Sequence, residues 1–152
     1  LGTAIALSGD GATLVAGAPF ASNSNKNFQG AVKIFELIES QWTLSGNFFG
    51  EVAGDNLGAS VSISKNGKFV AMAAPKSESV GEVLFLQDIG FSKVGYWFDS
   101  GVYRAQRVLG ELEYAGFGYA TSVSNRGSTA ISQPLGTNEN PRSGSVTVYQ
   151  LE

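Results

Sequence analysis

Any chemistry in this chain falls to carboxylates, amines, hydroxyls and aromatic rings, because its 152 residues include no histidine and no cysteine. An imidazole proton shuttle, a His-based triad, a HExxH zinc site, a thiol nucleophile, a thiolate metal site and a disulfide framework are all excluded within it. Two carboxylates, Glu51 and Glu111, stand in similar local sequences 60 positions apart. An acid–base pair for glycoside hydrolysis needs carboxyl groups about 5–10 Å apart. Residues at the same place in successive structural units are expected to lie farther apart than that, so both read as linker residues. Asp55 reads as a turn former whose carboxylate accepts backbone N–H bonds. Gly9-Asp10-Gly11 lacks the lysine and following helix of a phosphate-cradling loop. The chain is expected to have no catalytic activity of its own and to need no cofactor or metal.

Recognition is the other chemistry these residue types allow. Tyr96, Trp97, Phe98, Tyr103, Arg104 and Arg107 fall in one short stretch, and aromatics and arginine are the types enriched at binding hot spots. Tyr103, Arg104 and Arg107 could supply stacking and bidentate carboxylate or sulfate contacts. These six are the candidate partner-binding residues, for a protein or glycan ligand. The alternative is a lengthened strand whose aromatics cover the outer edge of a sheet. Trp42 has the same two readings, packing over an adjacent sheet or forming an exposed platform. With 10 basic and 13 acidic residues the net charge is −3, of the wrong sign for a nucleic-acid surface. No apolar run approaches the roughly 20 residues of a membrane span, and there is no N-x-S/T sequon. The start at Leu1, without a leader, reads as an excerpt from a longer chain or a processed product.

The elements that must position these residues are strands. Charged residues are only 15% of the chain while glycine supplies 20 positions, which favours strands and tight turns over a helical bundle. An internal repeat sets the pattern. Leu1-Gly2 to Pro19 aligns without a gap on Leu57-Gly58 to Pro75, and a third copy runs from Phe117-Gly118 to Pro134. Each copy closes on a second signature, beginning at Gly30-Ala31-Val32, Gly81-Glu82-Val83 and Gly144-Ser145-Val146. Alternation with period two marks a first and a third strand in each copy, while Thr13 to Ala18 and Lys68 to Ala74 read as inner strands. Asp10-Gly11 and Asn66-Gly67 predict type I′ hairpin turns. A fourth strand is expected at Gln41 to Ser45 and at Phe91 to Val94. The stretch from Gly46 to Gly50 spans four positions where Gly95 to Gly110 spans fifteen, so the candidate binding residues fall in an insertion after that fourth strand. The reading is an all-β partial β-propeller of three four-stranded antiparallel blades, the third incomplete, with bounds at 1–52, 53–112 and 113–152.

Leu57-Gly58, Phe117-Gly118 and Gly17-Ala18-Pro19 resemble the "FG" and "GAP" of FG-GAP repeats, the family of the integrin α-subunit propeller and of many bacterial and algal surface proteins. Gly50-Glu51-Val52-Ala53-Gly54-Asp55-Asn56-Leu57-Gly58 is similar to the linker of its non-integrin branch. The resemblance implies an extracellular or cell-surface interaction or adhesion module from a propeller of about seven blades. Part of a surface hydrolase and a structural spacer are the alternatives. Integrin-type repeats often hold calcium between their first two strands, but the matching loops here offer only the Asp10 carboxylate, and plain turns are expected. The Phe20 to Gln29 and Leu135 to Ser143 loops are expected to project from one face, where ligands would dock. Three blades fall below the roughly four needed for closure, so the arc is expected to continue in further chain or to close by self-association.

Overall fold

In the computed structural model the chain is all-β, and it describes residues 1–23, 25–76, 81–88, 103–111, 115–134 and 144–150. Among the described residues eleven strands form three antiparallel sheets. The first holds β1 (Ala4–Leu7), β2 (Thr13–Ala18), β3 (Ala31–Ile38) and β4 (Gln41–Phe49) in sequence order. The second holds β5 (Ser60–Ile63), β6 (Phe69–Ala74), β7 (Glu82–Asp88) and β8 (Tyr103–Leu109) in the same order. The third has three strands, β9 (Thr121–Val123), β10 (Thr129–Gln133) and β11 (Ser145–Tyr149). The close approaches between sheets are made by β1 and β2 on β5, and by β5 and β6 on β9. Inner strands therefore stack, giving the partial, propeller-like arrangement of three sheets.

The period-two pattern fixes which residues meet in each joint. One face of the first sheet, through Val15, Val32, Ile34 and Phe48 with Ala4 and Ala6 beside them, packs on Val61, Val70, Met72 and Leu86 of the second. Successive side chains point to opposite faces of a strand, so Ala71, Ala73, Val83 and Phe85 turn the other way and pack on Phe117 and Ile131. We call the face that meets the next sheet in sequence the leading face, and its opposite the trailing face. The inner part of the second joint is polar. Ser60 and Ser62 lie on the leading face of β5, where their hydroxyls lie 3.1 and 3.3 Å from the Thr121 Oγ1. The ring of Tyr149 stands edge-on to Phe117 at 6.2 Å. Burial, and then the charge of Glu111, raise its phenol above the ordinary 10.0.

The two signatures of each repeat meet in these joints. Leu57 is 1% exposed and Phe117 3%; each reaches from the start of its own sheet into the preceding one. The Leu57 N–H bonds the Gln29 carbonyl at 3.1 Å while the Gly58 N–H bonds Ala73 of its own sheet at 2.8 Å. Gly17 faces the Gly58 backbone so closely that a Cβ there would lie 2.1 Å from the Gly58 oxygen. Gly58 itself has φ +90°, and a Cβ on it would meet the Ala31 oxygen at 2.5 Å. The glycines at the end of β2 and the start of β5 thus let two backbones touch.

Three local expectations need correction. The loops between first and second strands are not type I′ turns, since Gly11, Gly67 and Gly127 have positive φ while Asp10, Asn66 and Arg126 do not. A serine two residues before Asp10 and Asn66 explains this. Ser8 Oγ donates to Asp10 Oδ1 at 2.6 Å and accepts the Thr13 N–H at 2.9 Å, and Ser64 does the same with Asn66 and Phe69. Only the glycine has to go left-handed in such a turn. A positive φ at both central residues occurs instead at Glu39 and Ser40, between the paired Ile38 and Gln41. The first sheet's fourth strand also runs on to Phe49, past a bulge opposite Ile34 and Phe35. The strand hydrogen-bonded to β7 is Tyr103–Leu109, with Leu109 opposite Glu82. The extra residues of the second repeat therefore precede its fourth strand, and Phe91 to Val94 lie outside the described residues.

Candidate interaction surface

The loop between β2 and β3 is tied to the linker between the first and second sheets. Asn56 does most of this. Its side chain is buried, its φ is +58°, and its Nδ2 donates to the carbonyls of Pro19 at 2.9 Å and Phe28 at 3.3 Å. The Gly54 N–H bonds the Asn27 carbonyl at 2.9 Å, and Lys26 Nζ donates to the Glu51 carbonyl. Asp55 acts as its sequence context suggests, with Oδ2 accepting the Val52 N–H at 2.7 Å. At the loop's two ends Phe20 and Phe28 meet edge-to-face, their centroids 6.4 Å apart, and both are exposed, as is Val52 on the linker. Gln29, next in sequence, is buried with Nε2 lacking a hydrogen-bond partner.

This arrangement offers an apolar, aromatic patch on a loop with its backbone fixed from below. Such a patch can stack on a sugar ring or seat an apolar side chain. Loops positioned by a rigid scaffold are where binding residues concentrate. Sequence reading identified the loop but not the pair of rings; an aromatic at each end of the polar run 21–27 was the available signal. Asn56→Ala is expected to cost about 2 kcal/mol, from two lost bonds, one buried at Pro19 and one part-buried at Phe28, and a left-handed φ that alanine resists. At about 2–4 °C per kcal/mol for a chain of this size, a thermal melt should show a loss of about 6 °C. An unchanged midpoint would mean that the linker does not hold the loop.

Of the six residues expected to bind a partner, Tyr96, Trp97 and Phe98 lie outside the described residues. Tyr103, Arg104 and Arg107 all sit on β8, at its start and near its end. Arg107 is engaged within the fold, its Nε 2.7 Å from Glu82 Oε1, and the Glu82 side chain is only 6% exposed. Trp42 is paired with Leu37 on the trailing face of the first sheet and is half exposed there. Glu51 and Glu111 are both exposed. Among the described residues no three acidic side chains gather as a metal site would require, and Asp10 is occupied with its own turn. No described helix is long and apolar enough to cross a membrane. The Leu135 to Ser143 loop lies outside the described residues up to position 143.

No family model matches the sequence, and no curated protein matches it.

Proposed function

We propose that the chain is an FG-GAP-like module that recognises a protein or glycan at an extracellular or cell-surface location, without chemistry of its own. The observation that carries this reading is the exposed Phe20–Phe28 pair on a loop anchored by Asn56. Two large rings left in water cost stability that a purely structural loop would recover by burying them. The interlock of Leu57-Gly58 with Gly17 and Gly30 supports the likeness to FG-GAP repeats, because it gives their two signatures one shared physical purpose. Tyr103 and Arg104 at the start of β8 stay candidate partner-binding residues in this reading, and Tyr96, Trp97 and Phe98 stay candidates by residue type.

The test is to probe the immobilised chain with an array of defined glycans and an array of purified extracellular proteins. Binding is expected to a restricted set. Phe20→Ser with Phe28→Ser should weaken it at least tenfold and shift the thermal midpoint by no more than about 3 °C, since both rings are exposed. A binder that the double variant retains at full strength, but that Trp97→Ala with Arg104→Ala loses, would move the site to the second repeat. No binding on either array would overturn the reading.

A further inference from the structure

The turns between first and second strands are tied to one another from sheet to sheet along one rim. In the first joint the tie is backbone alone, the Gly9 N–H donating to the Lys65 carbonyl at 2.8 Å. In the second joint it runs through side chains. The Asn66 N–H donates to Asn125 Oδ1 at 3.0 Å, and Asn66 Nδ2 donates to the Asn125 carbonyl at 3.3 Å. These bonds extend the polar seam that Ser60, Ser62 and Thr121 make farther along the same joint. Asn66 is exposed and is followed by Gly67, and no other asparagine in the sequence precedes a glycine.

An asparagine before glycine can lose its side-chain amide without an enzyme. The Gly67 nitrogen attacks Asn66 Cγ, a C–N bond forms there and the Cγ–Nδ2 bond breaks. The proton of the attacking nitrogen leaves with the amide as ammonia, and a cyclic imide remains. Solvent water opens the imide, its hydroxyl adding to one carbonyl carbon and its proton returning to the nitrogen, which gives aspartate or isoaspartate. Two features of the turn favour the attack. Gly67 has no Cβ to shield its nitrogen, and the Asn66 side-chain carbonyl is polarised by donors from Ser64 Oγ at 2.6 Å and the Lys68 N–H at 3.1 Å. One feature opposes it, because the Gly67 N–H donates to the Ser64 carbonyl at 2.9 Å. That bond lies at the tip of a hairpin whose Lys65, Asn66 and Lys68 are exposed, where local opening costs little free energy.

The first sheet already displays the product. Asp10 holds the place of Asn66, and its carboxylate takes the same two bonds, from Ser8 Oγ at 2.6 Å and the Ala12 N–H at 3.0 Å. The Gly11 N–H likewise donates to the Ser8 carbonyl at 3.0 Å. An aspartate at position 66 therefore fits its turn. It cannot keep the tie to the third sheet, because a carboxylate oxygen would stand where Nδ2 now donates to the Asn125 carbonyl. We propose that Asn66 is a site of spontaneous deamidation, and that the aspartate formed keeps its own turn while unfastening the rim of the second sheet from that of the third. Asn125, across the tie, is also exposed but precedes Arg126, whose side chain crowds the attacking nitrogen. This site is independent of what the Phe20–Phe28 loop binds.

Peptide mapping of the full chain, held folded in mildly alkaline buffer, tests the proposal. The peptide carrying Asn66 should gain about 1 Da, NH2 being exchanged for OH, with release of ammonia, while the peptide carrying Asn125 keeps its mass. Conversion of Asn66 only after the chain is unfolded in urea would overturn the proposal, because the turn would then protect it. So would equal conversion at Asn125. Asn66→Asp supplies the product in pure form. By hydrogen exchange its Lys68 amide should stay protected, while the amide of residue 66 exchanges about tenfold faster than in the parent, as loss of one tie implies. An amide at position 66 as protected as in the parent overturns the proposal. So does a variant that fails to fold, since the turn is held to accept the carboxylate.

Discussion

Gly17→Ala is expected to destabilise the chain by about 3–4 kcal/mol and to lower the thermal midpoint by about 10 °C. The sign is the informative part. Gly17 lies within β2 and is not among the positive-φ glycines. On an open strand, alanine in its place would stabilise by about 0.5–1 kcal/mol through the unfolded chain. The opposite is expected because the new methyl carbon would lie 2.1 Å from the Gly58 carbonyl oxygen and 2.9 Å from its carbon. Both belong to backbone, which cannot swing aside as a side chain would. Overpacking of that kind ordinarily costs about 1–3 kcal/mol and more where the neighbour is rigid. Gly2→Ala is the control. It shares the positive φ of Gly58 but meets no atom, so only the backbone strain of about 1–2 kcal/mol should appear. A Gly17→Ala chain as stable as the parent would mean that the first two sheets do not approach as described.

Arg107→Ala should cost about 3 kcal/mol. The pair with Glu82 is asymmetric, with the guanidinium side chain 36% exposed and the carboxylate side chain 6% exposed. Removing the arginine takes a guanidinium away from a nearly buried carboxylate, and breaking such a pair typically costs about 3–5 kcal/mol; the partial exposure of Arg107 places it at the lower end. Glu82→Leu with Arg107→Leu should recover most of the loss, since replacing a buried pair by apolar side chains is close to neutral. Urea titration of the two single variants and the double variant measures the coupling directly. Equal stability of Arg107→Ala and the parent would show that the carboxylate is not buried. The result also bears on recognition, because loss of binding in an Arg107 variant has to be separated from loss of fold.

The first three strands of each sheet, their order and the joints were legible because period-two alternation and glycine spacing are local signals repeated three times. Val61 and Ile63 alternate with Ser60 and Ser62, and that alternation is the difference between an apolar joint and a polar one. The second sheet's fourth strand was not legible. Phe91-Ser92-Lys93-Val94 alternates as convincingly as Tyr103–Leu109, and β8 is set by pairing with β7, whose partners lie 15 residues (Asp88 with Tyr103) to 27 residues (Glu82 with Leu109) away in sequence. The turn type was misjudged because Asp-Gly suits more than one geometry. The decision belongs to Ser8 and Ser64, whose hydroxyls cap the loop from outside the dipeptide. The aromatic pair was overlooked because Phe20 and Phe28 sit at opposite ends of a Ser- and Asn-rich stretch. Only the fold of that stretch brings the rings together.

The stagger between a sheet and the leucine–glycine step that fastens it has an evolutionary corollary. A gene segment cut at such a step encodes a part with its key in front and its lock behind. Copying that segment in tandem yields parts that fit one another at once, whatever their number, so growth or shrinkage of the array demands no new contacts. Selection would then be free to rewrite the rim loops of each copy separately, and the connection between third and fourth strands, two residues long in the first sheet and fourteen in the second, is a place where such rewriting would show.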